Sequence, residues 1–138
     1  MRKPILLWLD DCRNPFDQEI DWMVFSPIGR DVETVWVKSY YEFINYITNN
    51  GLPDGICFDH DLGKLTEMEL LKQGYSKAEA RKRKNEEKSG YDCVNWLIEY
   101  CLDHKCDFPP ANFQSANPVG RENMITKINN FKKMMGYE

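Results

Sequence analysis

A chain of 138 residues with 42% hydrophobic and 13% aromatic residues carries enough apolar surface for one compact core and too much for general disorder. Its net charge of −4 offers no global attraction to nucleic acid or an anionic membrane, so either partner would require a local basic patch. No apolar stretch reaches the length of a membrane span, and the start "MRKPILLWLDD" turns acidic too early for a signal peptide; a cytoplasmic protein is expected.

In chain order, "PILLWLDD" is a near-continuous apolar run ending at Asp10, the pattern of a strand buried on both faces, as in parallel sheets. "WMVFS" reads as a short strand able to pair with the next, "TVWVKS". Ser39 and Glu42 of "SYYE" form a capping box that opens a helix with Tyr40, Phe43, Ile44 and Ile47 on one apolar stripe. The third strand is "GICFDHD". Ser89 and Asp92 of "SGYD" open a second helix, with Val94, Leu97, Ile98, Cys101 and Leu102 at helical spacing. The fourth strand is "ANFQSAN", and Asn117 with Pro118 starts a last helix that stops near Gly136. Alternating strands and helices imply right-handed crossovers in a parallel α/β sheet, with doubly wound strand order 2-1-3-4.

A charged insertion runs from about 64 to 88, with its own capping box at Ser76 and Glu79. Two readings stand: a solvated surface excursion, or a lid whose Lys77, Arg81, Lys82, Arg83 and Lys84 meet a polyanion. The five cysteines, odd in number and without a CxxC pair, support neither a disulfide framework nor a zinc knuckle; Cys93 and Cys101 read as helix core.

The strand order brings Asp10 and Asp11, at the end of the first strand, to the same crevice as Asp59 and Asp61, at the end of the third. Converging carboxylates repel, so the site requires a cation or raised pKa values. Hard oxygen donors of this kind suit Mg²⁺, which completes its shell with water and substrate phosphate. The plainer reading is that Asp10 or Asp11 caps the following turn. His60 can move a proton near neutral pH, although strand alternation sends it to the face opposite Asp59. Arg13 offers a guanidinium suited to phosphate or to an ion pair with a nearby aspartate. "NPVG", with Asn117 and Gly120, sets backbone N–H groups at a helix start beside Ser115, as an anion site, a helix cap or both.

At these residues the chain resembles a receiver domain. "LWLDD" is similar to its first-strand acidic pair, "ICFDHD" to the strand bearing the phosphoacceptor aspartate, and "FQSA" to the strand ending in Ser/Thr-Ala. "LDDCRNP", "FDHDLG", "GYDCVNWL" and "SANPVG" together resemble an offshoot, the cyclic-phosphate processing receiver family. The resemblance implies a receiver- or flavodoxin-like three-layer sandwich with a truncated sheet, lacking the fifth strand and its phosphate-binding lysine. It implies a metal, Mg²⁺ or Mn²⁺, on Asp10, Asp11, Asp59 and the Asp61 carbonyl, with Ser115 touching phosphate. It also implies cyclic phosphate chemistry, in RNA repair or phage–host conflict. Gln114 stands where that family usually has histidine, which leaves His60 as the sole histidine at the site.

The expected function is metal-dependent binding and hydrolysis of a cyclic phosphate, on a nucleotide or an RNA 2′,3′-cyclic end. His60 and Asp59 are the catalytic candidates, and Arg13, Ser115, Asn117 and Gly120 the phosphate-binding ones. The alternatives are an inactive receiver-derived interaction module and, third, a phosphoaccepting receiver.

Overall fold

The structure is a computed structural model that describes residues 2–62, 67–85 and 88–136. Four strands, β1 (Ile5–Leu9), β2 (Glu33–Val37), β3 (Gly55–Phe58) and β4 (Ala111–Phe113), form one parallel sheet in the order β2-β1-β3-β4. The order is the one expected from strand–helix alternation. Leu6 to Leu9 and Ile56 to Phe58 are fully buried, as central strands covered on both faces must be.

Crossover handedness decides what covers each face. β1 to β2 runs in one direction across the sheet, whereas β2 to β3 and β3 to β4 run in the other. Right-handed connections therefore put the first crossover on one face and the later ones on the opposite face. Leu7, Leu9, Ile56, Phe58 and Phe113 accordingly pack with Phe43 and Ile47 of α1 (Tyr40–Asn50) and Val94 and Leu97 of α4 (Gly90–His104). Met124, Ile128 and Phe131 of α5 (Pro118–Met134) join the same core. Leu6, Trp8 and Cys57 face the other way, under Trp22, Met23, Phe25, Ile28 and Val32.

That second layer corrects one expectation. "WMVFS" is not a strand: Trp22–Phe25 is a 3-10 turn. Three of its four residues, Trp22, Met23 and Phe25, reach the sheet, while Val24 is exposed. A strand would alternate and turn only two of them inward, so the turn covers the sheet better.

The caps follow the sequence. Ser39 Oγ accepts from Glu42 N–H at 3.1 Å, and the Glu42 carboxylate accepts from Lys38 N–H rather than from Ser39. Ser89 and Asp92 make the complete reciprocal box on α4, and Asn117 caps α5 through Gly120 N–H. The insertion contains two helices, α2 (Glu67–Lys72) and α3 (Lys77–Asn85), which pack on each other, and Ser76 Oγ accepts from Glu79 N–H. Its segments 63–66 and 86–87, and the side chains of Arg83 and Lys84, lie outside the described residues. Among the described residues no helix is long and apolar enough to cross a membrane.

The α4 N-terminus is set directly on the end of β3. Gly90 N–H donates to the His60 carbonyl at 2.7 Å, and a Cβ at Gly90 would overlap the Asp59 carbonyl. Neither backbone can give way without moving the helix or the strand end. Gly90→Ala is therefore expected to lower the unfolding free energy by ~1–3 kcal/mol, the usual scale for overpacking, as measured by urea denaturation. An unchanged midpoint would show that the helix shifts at no cost.

Candidate functional site

The register continues one residue beyond the strands and lines up a row of side chains at their C-terminal edge. Asp10 N–H donates to Val37 O at 3.0 Å, Asp59 N–H to Leu9 O at 3.0 Å, and Gln114 N–H to Phe58 O at 3.2 Å. Asp10, Asp59 and Gln114 are thus neighbours across the sheet, and alternation gives Asp10 and Asp59 the face of Trp8 and Cys57. All three are buried, Asp10 and Asp59 to 0% and 2% exposure. Two carboxylates side by side in such a place need compensating donors.

Asp10 receives four. Its Oδ1 accepts from Cys12 N–H at 3.0 Å and Arg13 N–H at 2.9 Å. Its Oδ2 accepts from Arg13 Nη1 at 3.1 Å and Gln114 Nε2 at 3.3 Å. A carboxylate offers about four acceptor directions, so Asp10 is saturated. Arg13 Nη1 also lies 3.5 Å from Asp59 Oδ1 and bridges the two acids. Burial works to lower the Arg13 pKa, but the Asp10 hydrogen bond and the charges of Asp10 and Asp59 outweigh it and hold the guanidinium more firmly protonated.

Two tryptophans fix this turn from beneath. Trp8 Nε1 donates to Arg13 O at 2.9 Å, and Trp36 Nε1 donates to Asp10 O at 2.8 Å. The Arg13 guanidinium lies 5.8 Å from the Trp22 ring centroid. No local pattern names either acceptor, although an indole N–H on a covered strand must find one and so carries a usable signal. Gln114 reaches across β3, donating from Nε2 to Leu9 O at 2.9 Å as well as to Asp10. Its Oε1 is buried and accepts no hydrogen bond among the described residues.

His60 lies on the opposite face, as alternation predicts. Its ring packs against α5 at Gly120, where a Cβ would overlap it. Nδ1 is 2.9 Å from Asp61 Oδ1, which also accepts from Asn117 Nδ2 at 3.2 Å. A carboxylate can only accept, so Nδ1 carries the proton in this pair and Nε2 is left as the ring's exchangeable nitrogen. Asn117 Oδ1 accepts from Gly120 N–H at 3.0 Å, and Ser115 Oγ accepts from Asn117 N–H at 3.1 Å. Gly120, expected as an anion donor, thus has its N–H engaged in the helix cap; its other contribution is to let the imidazole approach.

The strand-end acids, the Asp-His-Asp corner and the Ser115–Asn117 turn lie in three of the four motifs quoted above. The cyclic-phosphate processing receiver domain family matches residues 5–130. The chain belongs to that family. Comparison with curated proteins and with solved structures gives no match.

A receiver-type crevice implies a divalent cation, and the donor set answers for it only in part. Among the described residues the set of three ligating groups within 4.8 Å of one another is Asp10, Asp11 and Cys12. Asp10 is saturated, Cys12 offers a soft thiol rather than a hard oxygen, and Arg13 bridges Asp10 to Asp59. In this arrangement the residues do not fit Mg²⁺ or Mn²⁺. The cation between Asp10 and Asp59 is the guanidinium.

In this member of the cyclic-phosphate processing receivers, Gln114 therefore ties three strands at the site. Gln114→Leu keeps the volume but takes one of two donors from Leu9 O, which keeps Asp59 N–H, and one of two from Asp10 Oδ2, which keeps Arg13 Nη1. It is expected to cost ~1–3 kcal/mol of stability, the scale of two lost buried hydrogen bonds of which one is to a carboxylate, in thermal or urea unfolding. A variant as stable as wild type would reduce Gln114 to packing.

Proposed function

We propose that this domain binds a cyclic phosphate at the C-terminal edge of β1 and β3 and hydrolyses it, the substrate being a nucleotide or an RNA 2′,3′-cyclic end. One observation carries the reading: a guanidinium on one side of that edge and an oriented imidazole on the other. Arg13 bridges Asp10 and Asp59, and His60 is held by Asp61 and Asn117. A phosphodiester lying over the edge would meet a fixed cation on one flank and a proton-transfer group on the other.

The residue roles follow. Arg13 turns its N–H fork to the phosphoryl oxygens, which it matches in geometry and charge. The Ser115 hydroxyl donates its hydrogen to the same group, since its oxygen already accepts from Asn117. Val119 N–H, which by helix geometry has no carbonyl within α5, adds a backbone donor at the positive end of the helix. Water attacks phosphorus as the ring P–O bond breaks; its proton passes to the Asp59 carboxylate, and His60, carrying a proton on Nε2 as well as the Nδ1–H held by Asp61, gives the Nε2 proton to the leaving oxygen. Asp59 is the carboxylate beside the reacting centre.

The test is ³¹P NMR of a panel of 2′,3′-cyclic nucleotides and a short RNA with a cyclic end, with purified protein and Mn²⁺ or Mg²⁺. Loss of the cyclic phosphate signal is expected, and His60→Ala should slow it by ~10²-fold or more, the usual scale for a general acid–base group. Turnover indifferent to His60→Ala would make the histidine structural. Gln114, which cannot take up a proton at neutral pH, favours a second reading, a receiver-derived module that binds without turnover. Line broadening of the cyclic phosphate signal with no product would establish that reading instead.

The RNA part of the proposal has its own measure. Lys77, Arg81 and Lys82 of α3 are exposed. If they hold the RNA backbone, affinity should fall steeply with salt, and Lys77→Ser/Lys82→Ser should flatten the slope by about one counterion per lost contact. Affinity indifferent to salt would return α3 to a solvated excursion.

A further inference from the structure

We propose that Arg13 is the resident counter-cation of the Asp10–Asp59 pair, that a divalent cation enters this crevice only by displacing its guanidinium, and that Arg13 therefore sets the metal affinity of the domain. The inference rests on the reading of this edge as the functional crevice, and it concerns what occupies the crevice before any phosphate arrives.

Three observations lead here. The first is that one nitrogen serves both acids: Arg13 Nη1 is 3.1 Å from Asp10 Oδ2 and 3.5 Å from Asp59 Oδ1. A divalent ion bound between these oxygens would stand where Nη1 now stands, so the two cations exclude each other. The second is how Arg13 is tethered. Its backbone is pinned at both ends, N–H to Asp10 Oδ1 and carbonyl to Trp8 Nε1, while the guanidinium is held by the two carboxylates and the Trp22 ring. The side chain is 20% exposed, so the fork can swing toward solvent while the turn stays in place.

The third observation is on the neighbouring strand. Gln114 is 5% exposed, and its buried Oε1 accepts no hydrogen bond among the described residues. Its amide nitrogen is committed to Leu9 O and Asp10 Oδ2, so the amide cannot rotate to satisfy the oxygen. A neutral oxygen on the amide that donates to Asp10 is a hard ligand of the kind Mg²⁺ or Mn²⁺ takes, directly or through a bound water. The two groups meet at Asp10 Oδ2: the guanidinium stands between the acids, and Gln114 brings an amide whose other atom is a hard oxygen.

Charge arithmetic gives the direction of the effect. Removing Arg13 deletes one positive charge a few ångströms from a position that would carry two, in a buried setting where Coulomb terms are weakly screened. Asp10 would still keep Cys12 N–H, Arg13 N–H and Gln114 Nε2 as donors, so its carboxylate remains anchored. The metal site is in this sense latent in the wild-type chain and exposed by one substitution.

The experiment is isothermal titration of the full chain with MnCl₂ at low salt and without any phosphate, alongside thermal unfolding with and without Mn²⁺. Arg13→Gln is expected to bind Mn²⁺ at least about tenfold more tightly than wild type, since a full charge of repulsion is removed. Arg13→Gln should also be less stable than wild type without metal and be restored by Mn²⁺, and Asp59→Asn added to it should abolish the gain. If Arg13→Gln does not fold, Arg13→Lys serves. Lysine is shorter than arginine, so its ammonium falls short of the place where Nη1 stands between the acids, and it too should bind Mn²⁺ more tightly than wild type. Equal or weaker Mn²⁺ binding by the folded variants, or no binding by any of the proteins, overturns the proposal. Tighter binding by Arg13→Gln alongside a silent ³¹P assay would remove hydrolysis and leave the counter-cation role. Turnover with no change in metal affinity would do the reverse.

Discussion

The structure depends on the burial of two aspartates side by side at the edge of a parallel sheet. Register makes this unavoidable: Leu9 pairs with Phe58, so the next residues, Asp10 and Asp59, must be neighbours. A pair of buried carboxylates without donors would cost several kcal/mol for each charge. The surrounding sequence reads as a set of answers to that cost. Arg13 supplies the charge, Cys12 and Arg13 supply backbone N–H groups, and Gln114 supplies an amide from the far strand. Trp8 and Trp36 then fix the turn that carries the first three, by hydrogen bonds from their indoles to its carbonyls.

The same edge is closed from the other side by close approach of two helices. α4 begins on the carbonyls of Asp59 and His60, and α5 begins on the His60 ring, each at a glycine with no room for a Cβ. Those contacts place two helix starts, with their positive ends, around one short segment of β3 and its turn. A site built in this way is rigid without being closed. Its acids are buried, whereas His60 and Arg13 each keep about a fifth of their side-chain surface exposed. Rigid positioning with partial access is what the proposed phosphate binding would require, because the anion must reach the edge from solvent and leave it again.

Much of this was legible in the sequence, for identifiable reasons. Continuous apolar runs ending in acids give strands and their order, since parallel strands are buried throughout and crossovers have one hand. The caps at Ser39, Ser89 and Asn117 are local chemistry, and they stand where Ser-x-x-Glu, Ser-x-x-Asp and Asn-Pro put them. "WMVFS" was misleading because four apolar residues in a row suit either a strand or a turn that lays three of them on a sheet. Only the tertiary surface of Leu6 and Trp8 selects between those. The roles of Gln114, Gly90 and the two tryptophans depend on partners distant in sequence, as in the bond from Gln114 to Leu9, 105 residues apart, which no local pattern encodes.

Gln114 also bears on what family membership does and does not imply for chemistry. A glutamine amide has two N–H donors on one atom, and here they meet a backbone carbonyl of β1 and the Asp10 carboxylate together. An imidazole presents one hydrogen on each nitrogen, in directions set by a rigid ring, so it could serve one of those acceptors from a given edge but not both. Glutamine at this position thus supplies a second tie between strands and no proton-transfer group. With the amide committed to structure, any proton transfer in the proposed reaction would fall to His60 on the opposite face, whose Nδ1 is held by Asp61 rather than by the buried acids. The reacting phosphate would then have its proton handled from the α5 side and its charge handled from the Arg13 side. That division is a property of this chain's own side chains, and the fold alone would not imply it.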